Sequence, residues 1–143
     1  PSEGDELLIY GQLRSYNMKY GCSSRLFITV FARNVCEKPV DSPCCNEISL
    51  IGYVCKPPVY RTTPFSREIT DVMLAVNRAY RKSDYLPIIA WGRNARYLSN
   101  MCVGDKLTIH GRAQSRQYQK ALPDGSVLER VAYEVSAFSV EGE

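Results

Sequence analysis

The stretch YLPIIAWGRNARYLSNMCVGDKLTIHGRAQS, residues 85–115, changes its hydrophobic period twice. In YLPIIAWG the apolar residues follow strand alternation, with Tyr85, Ile89 and Trp91 on one side and Leu86, Ile88 and Ala90 on the other. In RNARYLSNMC, Ala95, Leu98 and Met101 or Cys102 recur at helical spacing, and Gly104 reads as the helix stop. From residue 106 alternation returns. A short helix therefore sits between two strands.

The flanking sequence supplies the other strands. Upstream, NEISLIGYVCK alternates Ile48, Leu50, Gly52 and Val54, PPVYRTTPFSR reads as a proline-punctuated loop, and EITDVMLAVNRAYR reads as a long strand whose end turns basic. KSD, residues 82–84, reads as the turn into the next strand. Downstream, a strand over 106–118 and a turn around Pro123-Asp124-Gly125 lead to a last strand over about 127–140. The order β-β-β-α-β-β predicts an all-β, five-stranded OB-fold barrel with one short helix between strands 3 and 4. Strand counting alone leaves an SH3-like barrel or a swapped β-sandwich open; the helix position favours the OB-fold.

The start of the chain repeats part of this unit. GDELLIYGQLRS, residues 4–15, matches GDKLTIHGRAQS, residues 104–115, at Gly, Asp, Leu, Ile, Gly and Ser in register. RLFITVFARNV, residues 25–35, then stands where RVAYEVSAFSV follows the second copy, with 16–24 as a polar connection. The domain reading is a partial OB unit resembling a strand 4–5 hairpin over 1–35, a linker over 36–45 and a complete OB unit over 46–143. A hairpin alone is marginal, so residues 1–35 are expected to dock on a sheet edge or another subunit.

The chain has 143 residues, enough for one ordinary domain with its own core. No apolar run approaches a membrane span and no signal segment opens the sequence, so the expected location is cytoplasmic. The start at Pro1 without an initiator Met reads as a processed or trimmed chain and leaves room for a lost leader. Six cysteines (Cys22, Cys36, Cys44, Cys45, Cys55, Cys102) form no C-x2-C pair and His110 is the one histidine, so no metal or cofactor is expected. Buried free thiols are the favoured reading, with Cys44 and Cys45 as an exposed pair in the linker. One histidine, no phosphate-cradling glycine loop and no nucleophile elbow also argue against an enzyme, and Asp84 and Asp105 read as turn residues.

Charge is more informative by position than in sum. The net charge is only +3, yet residues 78–120 hold nine basic side chains against Asp84 and Asp105. Arg78 and Tyr80 are expected on one strand face, as are Arg112, Gln114, Arg116 and Tyr118, while Ile109, Gly111 and Ala113 point inward. Aromatics interleaved with arginines on the outside of a barrel suit a single strand of nucleic acid, since bases stack on rings and cations follow phosphates. Any one tyrosine taken alone reads as a packing residue of high strand propensity; the coincidence of face, charge and strand raises the functional reading. The expected phosphate contacts are Arg78, Arg81, Lys82, Arg112, Arg116 and Lys120. Arg93 and Arg96 are secondary, because solvated helix charge explains them as well.

At this point NEISLIG, LAVNRAYR, YLPIIAWGRNARYL, VGDKLTIHGRAQSRQYQ and ERVAYEVSAF together resemble the bacterial single-stranded-DNA-binding protein family across residues 46–140. The resemblance implies base stacking on Tyr80, Tyr85, Trp91 and Tyr118, no catalysis, roles in replication, recombination or repair, and a homo-oligomer, a dimer or tetramer. It also exposes departures. Three of the four aromatics are Tyr, Pro87 inside its strand suggests an edge or a bulge, the KSD connection is short, and the chain ends SVEGE, so recruitment of partners by an acidic tail is not supported. Alternatives are a primosome-like protein-interaction module and an RNA-binding OB domain. Because no basic second and third strands accompany the first hairpin, binding is expected in the complete copy.

Overall fold

The computed structural model describes residues 1–21 and 23–142, with the side chains of Tyr20 and Ser23 excepted. Cys22 lies outside the described residues. The chain forms two compact units, Pro1–Cys45 and Asn46–Glu143.

The second unit is a closed barrel. Its strands are β3 (Ile48–Val54), β4 (Val59–Thr62), β5 (Glu68–Asn77), β6 (Ser83–Trp91), β7 (Lys106–Ala121) and β8 (Val127–Gly142), and α1 (Gly92–Ser99) lies between β6 and β7. The sheet order is β3-β7-β8-β6-β5-β4, and a β3–β5 pairing closes it. The β6–β8 contact is parallel and all others are antiparallel. This is the expected OB-fold.

Alternation decides what fills the barrel. Leu50, Val54, Val72, Leu74, Leu86, Ile88, Leu107, Ile109 and Val135 are buried, and α1 adds Ala95 and Leu98. Thr70 is the polar member of this interior, and its hydroxyl donates to the Ala95 carbonyl at 2.6 Å, fixing α1 on the barrel. Tyr97 accepts from the Gly142 amide at 2.9 Å, and the Asn94 side chain donates to the Phe138 carbonyl at 3.2 Å. The helix is held from both sides.

Several boundaries differ from the sequence expectation. PPVYRTTPFSR contains the short strand β4, paired with β5, rather than only loop. The helix ends at Ser99 with Asn100 as its cap; Gly104 (φ +97°) belongs to the next turn. The β5–β6 connection is Arg78–Lys82, a single 3₁₀ turn in which Tyr80 and Arg81 both have positive φ, so Arg78 and Tyr80 do not share a strand face. Asp84 is a strand residue, not a turn residue: it is fully buried and ion-paired to Arg78 at 2.8 Å. Pro87 is on neither an edge nor a bulge. It pairs with Met73 in an unbroken β5–β6 ladder, and β8 pairs with β6 only at Ile88 and Ile89, so no rung there needs the missing N–H.

The first unit is one long hairpin, β1 (Leu7–Tyr20) with β2 (Ser23–Glu37), whose strands absorb most of the expected connection at 16–24. It repeats the β7–β8 hairpin in detail. Gly4 and Gly104 both take positive φ, near +93° and +97°. The Asp5 amide donates to the Ser2 carbonyl and the Asp105 amide to the Cys102 carbonyl, each at 3.0 Å. The Asp5 carboxylate accepts from the Ser2 amide (2.6 Å) and the Asp105 carboxylate from the Cys102 amide (2.8 Å). Each hairpin shifts register at its second glycine, between Tyr10 and Gly11 and between His110 and Gly111.

Those glycines are required by contact. A Cβ on Gly11 would run into the Phe31 carbonyl oxygen, and one on Gly111 into the Ser136 carbonyl oxygen. Gly111→Ala should therefore strain the backbone and cost about 1–3 kcal/mol, a fall in melting midpoint of about 5–20 °C for a unit of this size. Thermal unfolding followed by circular dichroism checks this, and an unchanged midpoint contradicts it.

The described cysteines, Cys36, Cys44, Cys45, Cys55 and Cys102, are free thiols, but none is buried: four are exposed and Cys55 is half-buried. They lie at a hairpin end, in 38–47, just beyond β3 and in the turn before β7 rather than at core positions. Among the described residues no His, Cys, Asp or Glu group is arranged to hold a metal ion, and no helix is long and apolar enough to cross a membrane.

Candidate nucleic-acid interface

The outer face of the second unit follows from its register. Paired residues on neighbouring strands point to the same side, so Val59, Asp71, Ile89, Ser136 and Arg112 form one row across β4, β5, β6, β8 and β7. Arg61, Ile69 and Trp91 form the next row. Toward the other end of β6 lie Pro87, opposite Met73, and Tyr85, opposite Ala75. Tyr85 and Trp91 are exposed. They are six positions apart along the strand, about 20 Å.

Between the two rings the face is apolar. Ile89 lies on the side of the aromatics, as its row shows, yet it is only 1% exposed and forms a covered floor. Beyond Arg112 the β7–β8 hairpin continues past the barrel, carrying Gln114, Arg116 and Tyr118 along the same edge of the face. Ala113 is exposed rather than inward although Val135 across from it is buried, because β3 pairs with β7 only as far as Gly111 and leaves that edge of β7 uncovered. Its backbone is instead bonded in both directions to the Asn46 side chain, at 2.8 and 2.9 Å.

The predicted residues divide by what holds them. Tyr80 is at the tip of the β5–β6 turn and is 95% exposed. Tyr118 is exposed and lies 5.8 Å from the Arg116 guanidinium, a cation–π distance. Arg116 is bonded to Glu134 at 3.0 Å, and that hydrogen bond is the first cause raising the guanidinium pKa further. Gln114 donates to the same carboxylate at 3.0 Å. Arg78 is tied to Asp84, and Arg96 to Glu68 at 3.0 Å, which also accepts from Tyr60 at 2.7 Å. Arg81, Lys82, Arg93, Arg112 and Lys120 are exposed, with no ion pair among the described residues.

Two carboxylates of the face are thus neutralised in place. Asp71 is paired with Arg61 at 3.1 Å, and the nearly buried Glu134 with Arg116. Beside these pairs stand the exposed rings of Tyr85, Trp91 and Tyr118 and the cation of Arg112, unpaired among the described residues. Sequence reasoning missed Arg130, which stands directly opposite Tyr118 in the hairpin and whose buried Nε has no hydrogen-bond partner. The signal lay in counting back from the Pro-Asp-Gly turn, which fixes Tyr118 against Arg130.

A closed OB barrel with exposed rings at both ends of β6 and on its projecting hairpin has the layout of an oligonucleotide-type OB domain. The sequence model of the Single-strand binding protein family matches residues 45–141, and the chain belongs to that family. "Single-stranded DNA-binding protein 3" of Clostridium acetobutylicum is 35% identical over 100 residues, covering 63% of this chain and 68% of that protein. "Single-stranded DNA-binding protein A" of Bacillus subtilis is 31% identical over 81 residues, 52% of this chain and 47% of that one. The crystal structure of wild-type single-stranded DNA binding protein from Thermus aquaticus superposes with a TM-score of 0.74 at 21% identity, over 96% of this chain and 58% of its own. The chain thus spans about half to two thirds of the length of these relatives.

Proposed function

We propose that this protein binds single-stranded DNA without catalysis and with little sequence preference, in replication, recombination or repair. The observation that carries the reading is the outer face: Tyr85 and Trp91 flank an apolar floor, Tyr118 extends the row, and Asp71 and Glu134 beside them are already paired with arginines. Tyr80, at the turn tip, is the fourth stacking residue. Arg81, Lys82, Arg112 and Lys120 take phosphates, with Arg93 secondary. Arg78, Arg96 and Arg116, each holding a carboxylate, position the site more than they contact phosphate. Family membership supports the same reading and extends it to a homo-oligomer working in the cytoplasm. The repeated turn and bulge support residues 1–35 as the strand 4–5 hairpin of another OB unit, with 46–143 the complete one.

The salt dependence of oligo-dT binding tests this. Four phosphate contacts at about 0.7 each give a slope of log K against log salt of about −3. A duplex of the same sequence should bind far more weakly. A slope near zero, or equal affinity for duplex, would refute the proposal.

A further inference from the structure

The first hairpin carries a face that its counterpart makes legible. Since the two hairpins share turn, register shift and glycine contact, Gln12, Arg14, Tyr16 and Met18 of β1 occupy the side that Arg112, Gln114, Arg116 and Tyr118 occupy in β7. Across from them on β2 are Phe31, Thr29, Phe27 and Arg25. Tyr16 and Phe27 are stacked, with centroids 5.4 Å apart and planes 12° from parallel. The Arg14 guanidinium lies 3.9 Å from the Phe31 centroid, and that of Arg25 lies 5.7 Å from Phe27. Rings and cations alternate along the ribbon.

Two features separate this from ordinary hairpin packing. Tyr16 and Phe31 are 47% and 53% exposed, a large aromatic area on a two-stranded ribbon. The second is charge. Arg116 in the barrel hairpin is bonded to a carboxylate, whereas Arg14 stands across from Thr29 and donates to the neutral Gln12 side chain at 2.9 Å, and residues 12–18 and 25–31 contain no acidic residue. The acids of this unit, Glu3, Asp5, Glu6, Glu37 and Asp41, are confined to its other end and to 38–45, where Glu6 pairs with Lys38 at 2.8 Å.

We infer that this face is a second contact surface for single-stranded DNA, with Tyr16, Phe27 and Phe31 stacking bases and Arg14 and Arg25 holding phosphates. The inference rests on the proposed function. It revises the expectation that binding belongs to the complete copy alone: basic second and third strands are not needed where the hairpin interleaves its own cations with rings. A protein partner would fit the aromatic area but leaves the acid-free run of arginines unexplained, whereas a polyanion with flat bases uses both.

Photocross-linking of the full chain to bromodeoxyuridine-substituted oligo-dT, with tryptic mapping, tests it. Adducts are expected on peptides Ser15–Lys19 and Leu26–Arg33 as well as on barrel peptides. In parallel, Arg14→Gln/Arg25→Gln should flatten the salt slope for long oligo-dT by about 1.4, while a short oligomer still quenches Trp91. Barrel adducts with none on the two hairpin peptides, or an unchanged slope, would overturn the inference and leave the proposed function standing. A chain with no adducts anywhere would overturn both.

Discussion

Replacing both Tyr85 and Trp91 by alanine is expected to weaken oligo-dT binding between about 30-fold and about 10⁴-fold. Each base stacked on an aromatic ring contributes about 1–3 kcal/mol, and tenfold in affinity corresponds to about 1.4 kcal/mol. Both side chains are outward on β6, so the substitution removes rings without opening the core: the inward neighbours Leu86, Ile88 and Ala90 are untouched. Folding should therefore survive, which thermal unfolding of the same variant checks. Fluorescence anisotropy of labelled oligo-dT reads the affinity. A loss below threefold with intact folding would show that bases do not stack on this face.

The second large effect concerns stability. Arg78→Met should cost about 3 kcal/mol, the lower end of the range for breaking a buried pair, because it leaves Asp84, fully buried in β6, without its cation. The lower end applies since the Arg78 side chain keeps 21% exposure and water softens the loss. Replacing both partners, Arg78→Met with Asp84→Leu, should recover part of the loss, because two apolar groups need no compensation. Urea denaturation at constant m reads the difference. A cost below about 1 kcal/mol for the single variant would mean that Arg78 does not stabilise the fold, leaving its charge available for phosphate.

The contrast between these two variants marks where sequence reading succeeds. Alternation in residues 85–91 separated outward rings from inward aliphatics because a strand has period two wherever its wall is continuous. The same logic failed at Ala113, since alternation cannot say where the neighbouring strand β3 stops covering β7. The repeat of GDxLxIxG was readable as identities, but its cause was not. Both glycines face a carbonyl of the partner strand, a contact between residues some 20 to 25 positions apart in the chain.

Charge was legible in number and not in partner. Arg78, Arg96 and Arg116 looked equivalent to Arg81 and Arg112 as basic residues near aromatics. Only the fold shows that the first three meet Asp84, Glu68 and Glu134, which lie up to 28 residues away in sequence. Cysteine burial failed for a related reason: Cys36 and Cys102 sit at element ends, where an apolar neighbourhood in sequence does not imply a wall in space.

The central claim, that a base stacks on the outer face of the barrel, is tested most directly by the fluorescence of Trp91, the chain's single tryptophan, during titration with oligo-dT. Strong saturable quenching that reverses with added salt is expected. Saturable binding with Trp91 emission unchanged would place the strand elsewhere and contradict it.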